Sequence, residues 1–151
     1  MDLILWRHAE AEDGSPDHLR ALTARGEDQA IRVAKWLNQS LSDNNYRLIV
    51  SPAKRTQSTA KALNHTIETN RLLAVGAHAE DIIRAAQWPH SPLPVVVVGH
   101  QPTLGQVASL LLSGKQHNWS IKKGAIWWLS YRERHHHPEV VLRAVLNPDM
   151  V

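Results

Sequence analysis

The run Val95-Val96-Val97-Val98, closed by Gly99-His100-Gln101-Pro102, constrains the fold more than any other stretch of the chain. Consecutive β-branched residues favour a strand, and apolar side chains at every position rather than alternate ones require cover on both faces. A strand buried on both faces belongs to a parallel sheet flanked by helices. Gly99 and Pro102 end the strand, so His100 stands at its carboxyl end.

The segments on either side fit such a sheet. Leu3-Ile4-Leu5-Trp6 is a second short apolar run, broken by the polar stretch from Arg7 to Arg20 with Gly14 and Pro16. Thr23 is placed to cap a helix with Glu27 and Asp28 in its first turn, and Ala30, Ala34, Leu37 and Leu41 recur at helical spacing up to Ser42-Asp43-Asn44-Asn45. Leu48-Ile49-Val50 is a third strand, followed by Ser51-Pro52, where serine can cap and proline can take the first helical position. The helix after it extends to about Asn64, with a short strand expected near Thr66 to Glu68, a loop at Gly76 and a helix from about Ala79.

After the valine strand, Leu104, Val107, Ala108 and Leu111 give a helix closed by Gly114, and Thr103 with Gln106 could form a capping box. Ala125 to Tyr131 and Glu139 to Leu146 predict two strands around a polar turn, Arg132 to Pro138. The order β-α-β-α-(β)-α-β-α-β-β predicts a three-layer α/β/α fold with a mostly parallel mixed sheet. A chain of 151 residues with 43% hydrophobic content is the size of one domain, so residues 1–151 are expected to form a single unit.

Several chemistries are excluded at once. With no cysteine there is no disulfide scaffold, thiolate metal site or catalytic thiol. A net charge of +3 is too small to signal nucleic acid. No apolar run approaches the roughly 20 residues of a membrane span, and Met1 leads into a strand rather than a leader peptide, so a cytoplasmic protein with no membrane partner is expected.

Three strand ends carry the same kind of residue: Trp6 leads into Arg7-His8, Val50 into a turn with Arg55, and Val98 into Gly99-His100. Ligand crevices of open α/β sheets lie at the carboxyl ends of the strands. If these strands are parallel neighbours, two arginines and two histidines converge, and an anion would relieve their repulsion. The planar guanidinium fork matches phosphate or carboxylate, and helix N-termini at Pro52 and Pro102 would add partial positive charge. Phosphate or sulfate is the expected occupant.

These residues also carry a family resemblance. Arg7-His8-Ala9-Glu10-Ala11-Glu12-Asp13-Gly14, Leu22-Thr23-Ala24-Arg25-Gly26, Ser51-Pro52-Ala53-Lys54-Arg55-Thr56 with Thr59-Ala60, and Val98-Gly99-His100-Gln101-Pro102-Thr103-Leu104 resemble, in order and spacing, the histidine phosphatase superfamily and its SixA-type phosphohistidine phosphatases. The resemblance covers roughly Leu3 to Leu112. It implies a phosphoglycerate mutase-like fold, His8 as a phosphorylated nucleophile, Arg7 and Arg55 as grips on the phosphoryl oxygens, and His100 completing the pocket. It implies neither metal nor cofactor. A neutral imidazole is a competent nucleophile, and arginines can stabilise transition-state charge. To act, His8 must hold one ring nitrogen free, with the other donating to a fixed acceptor such as a backbone carbonyl.

Ala9 and Ala21 depart from the common glycine and proline of these motifs. No clear general acid follows Thr59-Ala60; Glu68, Glu80 and Asp81 are candidates by sequence proximity alone. Arg20 is a candidate for substrate binding, or else a surface ion pair. Glu10, Glu12 and Asp13 are expected in an exposed loop at the pocket mouth, and Gly26 is expected to permit close backbone packing. His135-His136-His137 could bind a metal, but a solvated turn is the expected reading. Trp127-Trp128 alternates faces, so at most one is expected in the core.

The function expected is a phosphatase acting on a phosphohistidine-containing protein, because the short stretch between Arg55 and His100 leaves little room for a lid over a small substrate. The alternatives are a phosphomonoesterase of small metabolites and a catalytically silent phosphate-binding or interaction module.

Overall fold

The computed structural model describes residues 1–41 and 43–151. Its strands are β1 (Asp2–Arg7), β2 (Arg47–Val50), β3 (Ile67–Thr69), β4 (Val95–Gly99), β5 (Ile126–Arg134) and β6 (His137–Leu146), and its helices are α1 (Ala24–Ser40), α2 (Lys54–Lys61), α3 (Ala79–Ala85) and α4 (Thr103–Ser113). They build one mixed sheet in the order β3-β2-β4-β1-β5-β6. The valine strand β4 lies parallel between β1 and β2, with Val96 paired to Ile4 on one side and Leu48 on the other. β5 and β6 continue the sheet antiparallel beyond β1.

Successive residues of each strand supply two different cores. Leu3, Leu5, Ile49, Val95 and Val97 pack with Ile82 of α3 and Leu104, Val107 and Ala108 of α4. Ile4, Trp6, Leu48, Val50, Val96 and Val98 pack with Val33, Ala34 and Leu37 of α1 and Ala60 of α2. All four valines are fully buried, as the unbroken run required. Among the described residues no helix is long and apolar enough to cross a membrane.

Thr23 caps α1, accepting from the Gly26 amide at 2.9 Å, and Gly114 closes α4 in a left-handed conformation. Three local expectations are corrected. The Thr103–Gln106 capping box does not form, because the Thr103 hydroxyl donates to the Ala77 carbonyl instead and Pro102 takes the cap position. α2 starts at Lys54 with Ala53 as its cap and ends at Lys61, short of Asn64, and the Ser51 hydroxyl turns to His100. β5 and β6 reach further than expected: Arg134 pairs with His137, and the turn shrinks to His135-His136, both with positive φ. That is the backbone twist a two-residue hairpin needs. The Trp127-Trp128 pair behaves as its alternation required: Trp128 is buried against α1, while Trp127 packs half-buried beside Trp119 on the other face. Of the expected helix end at 42–45, Ser42 lies outside the described residues.

Gly26 is held where no larger residue fits, because a Cβ there would lie 2.0 Å from the Glu10 carbonyl oxygen. That contact seats α1 against the segment following His8, and the Thr23 amide donates to the same carbonyl at 3.0 Å. Gly26→Ala is expected to lower the unfolding free energy by about 1–3 kcal/mol through overpacking, read by urea denaturation. An unchanged midpoint would mean that this seating is not tight in solution.

Candidate active site

β1 and β4 deliver His8 and His100 side by side: the rings lie 5.5 Å apart, and the His8 amide donates to the Gly99 carbonyl at 3.1 Å. β2 ends at Val50, and the Ser51 amide donates to the Val98 carbonyl, which carries the chain into α2 and places Arg55 beside His100. Arg7, His8, Arg55 and His100 therefore meet at the carboxyl edge of three adjacent parallel strands.

Each side chain is held by a specific partner. The His8 Nδ1 lies 2.8 Å from the Ala9 carbonyl. A carbonyl only accepts, so Nδ1 carries the proton and Nε2 keeps its lone pair; among the described residues Nε2 has no hydrogen-bond partner. The acceptor that sequence reasoning required is thus the next residue's backbone. Thr59 fixes this turn, its hydroxyl accepting from the Ala9 amide at 3.0 Å and donating to the Arg55 carbonyl at 2.8 Å.

The His100 Nε2 meets the Ser51 hydroxyl at 2.7 Å, while Arg55 Nη2 approaches Nδ1 at 3.5 Å. A guanidinium only donates, so Nδ1 is the acceptor and Nε2–H points to serine. Arg7 donates from Nη1 to the Ile121 carbonyl at 2.9 Å. Arg55 donates to the Asp17 backbone carbonyl at 2.9 Å and to its carboxylate at 3.1 Å. Yet the Nε atoms of both arginines are buried without a partner. Buried cationic donors left unpaired are the signature expected of an anion site.

Burial is the main cause that holds the His8 imidazole down to about 4, and the guanidinia of Arg55, Arg7 and Arg20 push the same way against the Ala9 hydrogen bond. His100 is driven to about 3, first by burial and then by Arg55. Both rings are neutral at pH 7. Asp17 is held ionised below the usual carboxylate range by hydrogen bonds from Arg20 and Arg55.

Arg20 sits at the rim, pairing with Asp17 at 3.0 Å and donating to the Glu12 carbonyl. The surface ion pair expected of it is present, and its charge is also felt at His8. Of the acid candidates, Glu68 is committed to Arg47 at the opposite end of β2, Asp81 accepts from the His78 amide at its own helix start, and Glu80 is exposed on α3. Glu10 is only half-exposed, because its carboxylate accepts from Thr23, whereas Glu12 and Asp13 are exposed. Among the described residues no three His, Asp or Glu side chains gather as a metal site, and His135 to His137 lie on the exposed hairpin.

Sequence reasoning missed Asp17, the role of Ser51 and the 121–125 segment. The Gly124 amide lies within hydrogen-bond distance of both the Arg7 and His8 carbonyls, and its φ of 75° is a conformation that favours glycine. Ser51-Pro52 after a strand and an isolated glycine before one were the available signals.

Residues 3–74 match the family model described as histidine phosphatase superfamily (branch 1). An uncharacterized protein of Picosynechococcus sp. is 31% identical over 83% of this chain and 82% of its own. The chain belongs to the histidine phosphatase superfamily. The structure of the protein histidine phosphatase SixA complexed with tungstate matches this histidine phosphatase fold with a TM-score of 0.79 at 20% identity, over 99% of both chains. A protein assigned to the SixA phosphohistidine phosphatases from Nakamurella multipartitia gives 0.76 at 23%, over 97% of this chain and 95% of its own. Phosphoserine phosphatase from Entamoeba histolytica, in complex with phosphoserine, gives 0.67 at 18%, over 95% of each. These likenesses establish the shared phosphoglycerate mutase-like fold.

The two neutral histidines of this superfamily member make its stability depend on pH. Unfolded, each takes a proton near pH 6.5; folded, His8 resists until about 4 and His100 until about 3. The unfolded state therefore binds more protons below pH 6.5, and unfolding free energy should fall steadily as pH drops from 6.5 toward 4. His100→Asn should flatten that slope, measured by denaturation at a series of pH values. An equally steep slope in the variant would mean that His100 titrates alike in both states.

Proposed function

We propose that the chain is a metal-independent phosphatase that hydrolyses phosphohistidine on a protein partner through a covalent intermediate at His8. The observation that carries this reading is the pairing of a tied His8 Nδ1 and free Nε2 with two guanidinium side chains, Arg55 buried and Arg7 half-buried, whose buried Nε donors lack partners among the described residues. In the first step the His8 Nε2 lone pair forms a bond to phosphorus, and the bond from phosphorus to the substrate nitrogen breaks with its electrons on the leaving ring. Water then attacks the phosphorylated His8, the electron pair returns to Nε2, and inorganic phosphate departs. Arg7 and Arg55 hold the equatorial oxygens and offset the charge that a metal would otherwise offset. His100 positions Arg55 and closes the pocket, and Arg20 extends the positive rim toward the substrate. The likeness to a tungstate-bound structure supports an oxyanion in this fold.

The substrate follows from the leaving group. Alkyl phosphates expel a strongly basic alkoxide and depend on a positioned acid, worth about 10²–10⁴-fold. Glu68 is paired with Arg47, Asp81 accepts from the His78 amide, Glu80 is exposed on α3, and Asp17 is locked between arginines. The N–P bond of phosphohistidine is labile and can break without a carboxyl donor beside it. The second reading, a small-metabolite phosphomonoesterase, draws on the likeness to phosphoserine phosphatase. A silent binding module is the third.

His8→Ala should abolish both turnover and an acid-labile phosphoenzyme. The wild type should prefer phosphohistidine over aryl phosphate, and aryl phosphate over phosphoserine, in kcat/KM. Activity should survive EDTA and be inhibited by vanadate. Equal activity on phosphoserine would put the small-metabolite reading first, and loss with chelator would overturn metal independence.

A further inference from the structure

Beside the phosphate pocket lies a cleft of about 470 Å³ lined by Asp17, His18, Ser51, Pro52, Ala53, Ala74 and Val75. It adjoins the pocket through two residues already placed there. Ser51 contacts the His100 ring, and Asp17 contacts the Arg55 guanidinium. Its walls, Pro52, Ala53, Ala74 and Val75, are apolar, and Val75 is more than half exposed. A phosphoryl group gripped by Arg7 and Arg55 must send its leaving group somewhere, and an apolar cleft next to the grip suits a flat ring.

Three lining side chains carry or could carry an exchangeable proton. The Ser51 hydroxyl is buried and engaged with His100. The Asp17 carboxylate is kept ionised by Arg20 and Arg55, so it has no proton to give at neutral pH. His18 remains: it is exposed on the 3₁₀ turn Asp17–Leu19, and its imidazole makes no hydrogen bond or ion pair among the described residues. Histidine is the side chain type that can hold and release a proton near neutrality.

We infer that this cleft receives the leaving imidazole of the substrate and that His18 is the proton donor to it, a role that rests on the phosphohistidine reading above. As His8 Nε2 bonds to phosphorus, the electrons of the breaking N–P bond stay on the substrate ring. The His18 imidazolium passes its proton to that ring, which leaves as neutral imidazole. His18, open to solvent, recovers a proton from water before the next turnover. The apolar walls favour a ring over a sugar or an alkyl alcohol, so the cleft contributes to selectivity as well as to rate.

The experiment compares kcat/KM for a phosphohistidine peptide and for p-nitrophenyl phosphate in wild type, His18→Ala and His18→Gln. This ratio reports the steps through phosphoenzyme formation, and p-nitrophenolate leaves without needing a proton. Both variants should lose about 10²-fold on the phosphohistidine peptide, within the usual range for a general acid, and stay within about twofold on p-nitrophenyl phosphate. Equal losses on both substrates, no loss on either, or recovery with glutamine alone would each overturn proton donation by His18. Retained p-nitrophenyl phosphate activity also serves as the folding control. Failure of the underlying reading is separate: wild-type protein would then form no phosphoenzyme at His8, or would turn over phosphoserine as well as the phosphohistidine peptide, whatever the His18 variants do.

Discussion

The parallel pairing of β4 between β1 and β2 is the constraint on which the site depends. Because both neighbours run in the same direction, three carboxyl ends arrive at one edge, and Arg7, His8, Arg55 and His100 need only short turns to meet. The same pairing requires residues 95–98 to be apolar on both sides, since one face packs on α3 and α4 and the other on α1 and α2. Burial of this strand and assembly of the site are therefore one event. A polar residue anywhere in the valine run would loosen the core and move His100.

Electrostatics give the site its chemistry at some cost to the fold. The Arg55 guanidinium is buried and that of Arg7 half-buried beside two imidazoles; among the described residues a single carboxylate, Asp17, offsets them, and it is itself more than half exposed. The histidines respond by remaining neutral, which removes two charges from the cluster and leaves His8 with a lone pair. The arginines cannot do so and keep unpaired donors. An unrelieved positive pocket lowers stability in the free protein and favours an incoming anion, the usual trade at functional sites.

Legibility in the sequence followed the physics of each element. The parallel core could be read because a strand buried on both faces leaves a run with no polar alternation, and α1 because Thr23 and its apolar spacing act locally. Arg7, His8, Arg55 and His100 could be placed because a strand end fixes where the next residue lies. The edges were harder. The β5–β6 turn looked longer than it is, because His135 and His136 adopt positive φ without the glycine or asparagine that normally marks such a turn. Thr103 looked like a cap because its competing partner, the Ala77 carbonyl, is far away in sequence. Asp17 carried no signal at all, since its role exists only once the 3₁₀ turn Asp17–Leu19 folds over Arg55.

The 121–125 segment shows why part of an active site can escape every sequence pattern. It secures Arg7 through the Ile121 carbonyl, meets the Arg7 and His8 carbonyls with the Gly124 amide, and accepts the Arg7 amide at the Ala125 carbonyl. All of these are backbone groups, so the hydrogen bonds themselves set no pattern of side chains, and the burial of Ile121 and Ala125 in the core asks only for apolar residues. Gly124 is constrained to glycine: its φ is positive, and a Cβ would meet the Pro148 ring at 2.8 Å and press on Gln29. Gln29 in turn accepts from the Glu10 amide, which ties this segment to the loop after His8. The family match ends at residue 74, well before it. The side chains that do the chemistry are written in the sequence, whereas the backbone that aims them is written only in the fold.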